Sequence, residues 1–162
     1  MRPRVYRSRK MKRTLAILLS FWLLPVTGLH PAGKLDISRL HGTWRLLYKG
    51  GYGYTFRFQK NYQSLCVIHL NTSAVVFKGI YTAEGDDAIR INIYEMKNDA
   101  NALSPSSGSG FTKTSSTYFV FRASLSGTSK APGLVLSPTR TVIDGRSSDG
   151  YFEPEIRLVR SP

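Results

Sequence analysis

Few side chains in these 162 residues have the types and spacing that chemistry needs. Cys66 and His69 are the nearest approach to a metal pair, with His30 and His41 far off along the chain. On an extended chain side chains alternate between faces, so Cys66 and His69 point apart, and a metal ion needs several converging N, O or S donors. No metal site is expected. Asp144, Asp149, Glu153 and Glu155 gather near one turn without the spacing of a calcium loop. Asp86-Asp87 beside Gly85 is what a tight hairpin turn uses. The chain has no Gly-x-Ser-x-Gly elbow, no His-Glu-x-x-His and no phosphate loop. The expectation is a protein without catalytic residues, without a cofactor, and not an enzyme. What remains is apolar: Tyr54, Phe56, Phe58, Phe77, Tyr81, Ile91, Phe119 and Phe121 recur at strand spacing and could together line a site for a small hydrophobic molecule. The hydroxyls of Tyr54 and Tyr81 would supply its few polar contacts.

The elements that would position these residues are strands. Alternation with period two, punctuated by Gly, Asn, Asp, Ser and Pro, marks segments 42–48, 52–58, 64–70, 74–82, 88–94, 117–124, 133–136, 140–143 and 152–159. A charged residue in mid-strand faces water. Arg57, Lys78, Arg90 and Arg122 therefore mark the outside, which turns the aromatic and isoleucine side chains of their strands onto one inner face. A sheet with one long apolar face must close on itself or meet a second sheet. The fold class expected is all-β, a single antiparallel up-and-down barrel of eight or nine strands. The segments 98–116 and 126–132, rich in Ser, Gly, Asn and Thr, read as surface loops too polar to join a core.

The first 28 residues read as an address. Seven basic residues precede the apolar run Leu15 to Leu24, and Pro25-Val26-Thr27-Gly28 provides small residues for cleavage after Gly28. The run falls short of the roughly 20 apolar residues of a spanning helix. The expected organisation is a secretory signal peptide over 1–28, a lead-in with a short helical turn over 29–41, and a barrel over 42–160, in a secreted or periplasmic protein. The signal holds seven of the 23 basic residues and none of the ten acidic ones, so the charge of +13 falls to +6 beyond it. A charge of that size favours solubility and is no argument for nucleic acid. Cys66 is the only cysteine, which excludes an intrachain disulfide and leaves stability to packing. An integral outer-membrane barrel is disfavoured, because outward Arg57, Lys78, Arg90 and Arg122 would each cost roughly 2–4 kcal/mol in mid-bilayer.

The strongest local motif is Leu35-Asp36-Ile37-Ser38-Arg39-Leu40-His41-Gly42-Thr43-Trp44. Asp36 can cap a short turn through Leu40, after which Gly42-Thr43-Trp44 opens the first strand. This arrangement resembles the calycin superfamily, the lipocalins and their bacterial lipocalin-like relatives. The resemblance implies that Trp44 plugs one end of the barrel and that a basic residue of the last strand, Arg157 or Arg160, stacks on it. It also implies an exported protein that binds a small hydrophobic ligand inside the barrel. The alternative reading is a barrel with a filled core that acts through its outer surface and loops on a protein partner, as an adhesin, an inhibitor or an envelope component. In either case no nucleic-acid partner is expected: Gly51 to Phe56 is superficially similar to an RNA-recognition strand, but Arg57 stands where that strand needs an aromatic.

Overall fold

The computed structural model describes residues 34–100, 110–128, 130–148 and 150–162. The proposed signal segment lies outside the described residues. A single 3₁₀ turn, Ile37–Leu40, leads into nine strands: β1 (Gly42–Leu47), β2 (Tyr52–Phe58), β3 (Gln63–Leu70), β4 (Ser73–Glu84), β5 (Ala88–Asp99), β6 (Thr112–Thr128), β7 (Ala131–Ile143), β8 (Arg146–Ser147) and β9 (Ile156–Ser161). Each strand from β1 to β7 pairs antiparallel with the next, and β9 closes the ring by pairing with both β7 and β1, as in Leu136 with Ile156 and Trp44 with Arg160. The result is a closed, eight-stranded, up-and-down barrel, with β8 outside the ring against the end of β7. Closure pairs the ring strands on both sides, while β6 beyond Ala123 is paired on its β7 side only.

The register follows from the alternation. Arg57, Arg90 and Arg122 do project outward, and Phe56, Phe77, Ile91 and Phe119 meet inside with Ile89, Phe121, Leu134, Leu136, Ile156 and Leu158. Gly53 is required for close approach: at φ +140 its position for a Cβ lies against the Leu46 carbonyl of β1, a place no side chain can occupy.

Four boundaries differ from the sequence reading. Segments 133–136 and 140–143 form one strand, β7, because the interruption is a β-bulge: Phe121 faces Pro138 and Val120 faces Arg140, with Thr139 extra. A bulge accommodates a proline that has no N–H for the ladder. Residues 126–132 are strand ends and a tight turn, so β6 and β7 extend beyond the ring as a long hairpin. Asn98 and Asp99 belong to β5 and Thr112 to Ser116 to β6, which shortens the expected 98–116 loop; its residues 101–109 lie outside the described residues. Finally, β9 begins at Ile156, not Phe152. Pro154 ends strand pairing there, and Phe152 turns into the barrel instead.

Candidate functional site

The eight inward residues expected to surround a ligand are all brought together, and they touch one another. Seven are at most 1% exposed, and Tyr54 is 7% exposed. Phe56 meets Phe121 edge-on at 5.6 Å between ring centres, Phe58 meets Tyr81 at 5.0 Å and Phe77 meets Phe119 at 5.2 Å. These are the tilted and T-shaped geometries that aromatic quadrupoles favour in a packed core. Both hydroxyls are taken up by backbone: Tyr81 donates to the Gln59 carbonyl (2.9 Å), and Tyr54 accepts from the Glu153 N–H (3.3 Å). Four depressions among the described residues, of about 540, 380, 300 and 90 Å³, are lined by none of the eight. Cys66 is buried in the same cluster, and burial pushes its thiol well above the ordinary range. In the native protein Cys66 is therefore expected to resist a thiol-reactive disulfide reagent at mildly alkaline pH and to react fully on adding denaturant; rapid native-state reaction would show an interior open to solvent.

Each end of the barrel has its own stopper. At the end where β1 begins, Leu40 and Trp44 are buried, and the Trp44 indole N–H donates to the Leu40 carbonyl at 2.6 Å. Asp36 caps the turn beneath them by accepting from the Ser38 N–H (3.0 Å) and hydroxyl (2.6 Å), which holds its carboxyl below the usual range. Of the two arginines that could stack on Trp44, the structure places Arg160 there, with its guanidinium 5.6 Å from the ring and an N–H donated to the His41 carbonyl. Arg157, the other candidate, points to solvent and pairs with Glu155 at 2.6 Å, which leaves the indole to Arg160. The difference is one of parity, since side chains three apart on β9 leave opposite faces. Arg160→Ala is expected to cost about 1–2 kcal/mol in urea denaturation, from the lost stacking and hydrogen bond, and Arg157→Ala less than about 0.5. Equal losses would remove Arg160 from the plug.

At the opposite end the connection from β8 to β9 dips into the barrel. Phe152 packs 5.0 Å from both Phe119 and Phe121, and Tyr151 lies over Phe77 and Phe119. Tyr48 ties the same connection down by donating to the Glu153 carboxylate at 2.7 Å. The acidic residues near this turn are accordingly engaged one by one: Glu153 by Tyr48, Glu155 by Arg157, and Asp144 by the Thr117 hydroxyl. Asp149 lies outside the described residues.

The wall of the barrel carries a second cluster on its outer face. Val67, Ala74 and Val76 project outward from β3 and β4 yet are at most 2% exposed, with Leu65 and Phe111 packed against them. The Phe111 ring lies 3.6 Å beneath the Lys78 ammonium, which pairs in turn with Glu95 at 3.2 Å. Phe111 thus joins a core, contrary to the expectation for its loop. Next to it His69 and Thr55 share a buried hydrogen bond of 2.9 Å. His69 faces outward and Cys66 inward, so the two do not converge.

Two concavities lie outside, around the plugged Trp44 end. A groove of about 540 Å³ runs between the lead-in and β6–β7, with Leu35, Ala123, Leu125 and Val135 as its apolar wall. Lys34, Arg39 and the ion pair Arg122–Asp87 (2.9 Å) lie along it. The lead-in is held there by its backbone, Leu35 N–H donating to the Asp86 carbonyl at 2.6 Å. A second lobe of about 380 Å³, bounded by Ser38, Trp44, Ser126, Thr128 and Arg160, shares Arg39 and Leu125 with the first. Both volumes fall within the range of small-ligand sites, roughly 300–1,000 Å³.

No family model, curated protein or solved structure matches this chain.

The trough contains residues that the reading of the sequence did not assign to a site, namely Lys34, Arg39 and Leu125. Arg39 lies in the turn before β1 and Arg160 in β9, and only ring closure through β9 brings the two to one depression.

Proposed function

We propose that this chain is an exported, lipocalin-like barrel with a solid interior, which does no chemistry and works through its exterior as an envelope or extracellular protein-interaction module. The observation that carries this reading is the mutual packing of the eight inward residues between two stoppers, with two sizeable concavities on the outside. An interior ligand would have to part Phe56 from Phe121 and Phe77 from Phe119 and displace Phe152. The Gly42-Thr43-Trp44 opening, the plugged Trp44 and the Arg160 guanidinium over it support the calycin comparison at the level of architecture. The basic and apolar segments before Gly28 support export.

Native mass spectrometry of the full chain, with and without solvent extraction, tests the reading. A bare protein mass that persists after incubation with fatty acids and haem is the expected result. A reproducible co-purified apolar molecule, lost on extraction, would return the function to the interior.

A further inference from the structure

The second lobe of the trough has a composition that a purely structural surface does not need. Two guanidinium groups, Arg39 and Arg160, line it together with Ser126, Thr128 and Ser38, whose hydroxyl is already donated to Asp36, and among the described residues no carboxylate lines it. The acidic groups along the neighbouring groove are each occupied: Asp36 by Ser38, Asp87 by Arg122 and Glu155 by Arg157. Arg39 makes no salt bridge within 4.0 Å among the described residues, though its charge helps to stabilise the nearby Asp36 carboxylate, and Arg160 spends one N–H on the His41 carbonyl, which leaves donors on both for a further acceptor. Bringing like charges to one depression is unfavourable unless an anion arrives, and guanidinium forks match a carboxylate in geometry as well as charge. The adjoining groove offers Leu35, Leu125 and Val135 within a wall that also carries charged groups. An alkyl chain prefers a predominantly apolar lining, whereas a polypeptide, with alternating apolar and polar groups and its own N–H and C=O groups, suits a mixed one.

We propose that the trough binds an acidic segment of a protein partner, with a carboxylate held between Arg39 and Arg160 and neighbouring apolar side chains laid on Leu35, Leu125 and Val135. This rests on the exterior reading above. Beyond Ala123 the β6 edge that faces away from β7 has no strand partner among the described residues, so backbone groups of Ser124 to Thr128 are open to the main chain of the bound segment as well.

The test is an NMR titration of the full chain, following the Trp44 indole N–H and the backbone amides of Ser126 and Thr128. The titrants are a short peptide alternating glutamate and leucine, its lysine–leucine counterpart, and inorganic phosphate. The acidic peptide should give saturable shifts at all three positions and the basic one none. Arg39→Gln should weaken the acidic peptide about tenfold or more while barely moving the melting temperature, since Arg39 is exposed and its attraction to Asp36 is one between two exposed groups. Leu125→Ser should weaken the peptide without affecting phosphate. The proposal is overturned if the basic peptide binds equally, if Arg39→Gln has no effect, if phosphate alone binds as tightly as the acidic peptide, or if no titrant shifts these signals. Each of those results, obtained on protein whose native mass is bare, leaves the solid-barrel reading standing.

Discussion

Trp44→Ala is expected to lower the stability of this barrel by about 3–5 kcal/mol and its melting temperature by roughly 10–20 °C. Three losses coincide at that position. The indole is 1% exposed, so its removal opens a cavity where the 3₁₀ turn meets the strands. The Leu40 carbonyl loses the donor that satisfies it in a fully buried residue, and a buried acceptor left unpaired costs about 1–3 kcal/mol of its own. Arg160 loses the surface it lies on. Trp44→Phe separates these contributions, because it retains a ring for the core and for Arg160 but not the N–H; a loss of about 1–2 kcal/mol is expected. Urea denaturation followed by circular dichroism reads both variants. An alanine variant that melts with the wild type would mean that the turn and Arg160 close the barrel without the indole.

Much of this architecture is legible in the sequence because charge marks the outside of the strands. Arg57, Arg90 and Arg122 set the parity of β2, β5 and β6, and the inner face follows by alternation. Where that marker is missing, alternation alone does not fix the inner face. In β3 the run Leu65-Cys66-Val67-Ile68 is apolar at both parities, which is the pattern of a strand covered on both sides. The outward pair Val67 and Val76 under Phe111 is the structural counterpart, and it could have been anticipated from that run. Pro154 between Glu153 and Glu155 likewise argues against a strand beginning at Phe152. The ends of β6 and β7 are hidden for a different reason: Ser124 to Thr128 pair through their backbone, and small polar side chains show no hydrophobic period. The trough is least visible of all. Arg39 and Arg160 are 121 residues apart in the chain, and their meeting depends on β9 returning to β1, a long-range event that no local pattern encodes.

The same distinction between a face and a cavity governs the second large effect. Alternation establishes which side chains point inward, but whether they meet depends on volumes and on what enters from the ends. Phe119 is the residue on which this turns. Its ring contacts Phe77 at 5.2 Å, Phe152 at 5.0 Å, and Phe121 and Tyr151 at 6.4 Å, so it joins the wall of the barrel to the inserted β8–β9 connection. Phe119→Ala is expected to cost about 3–5 kcal/mol, because Phe77 and Phe121 are held by strands that cannot collapse far into the gap and Phe152 is packed against Phe121 as well. The void would be lined by aromatic and aliphatic carbon, and such engineered cavities stay dry and accept benzene. Benzene should therefore raise the melting temperature of Phe119→Ala, in proportion to the logarithm of its concentration above Kd, and leave the wild type unmoved. Thermal denaturation of both proteins across a benzene series makes the comparison. Stabilisation of the wild type to a similar extent would show that the interior already has room for an apolar molecule, and the binding function would move from the trough at Arg39 and Arg160 back inside the barrel.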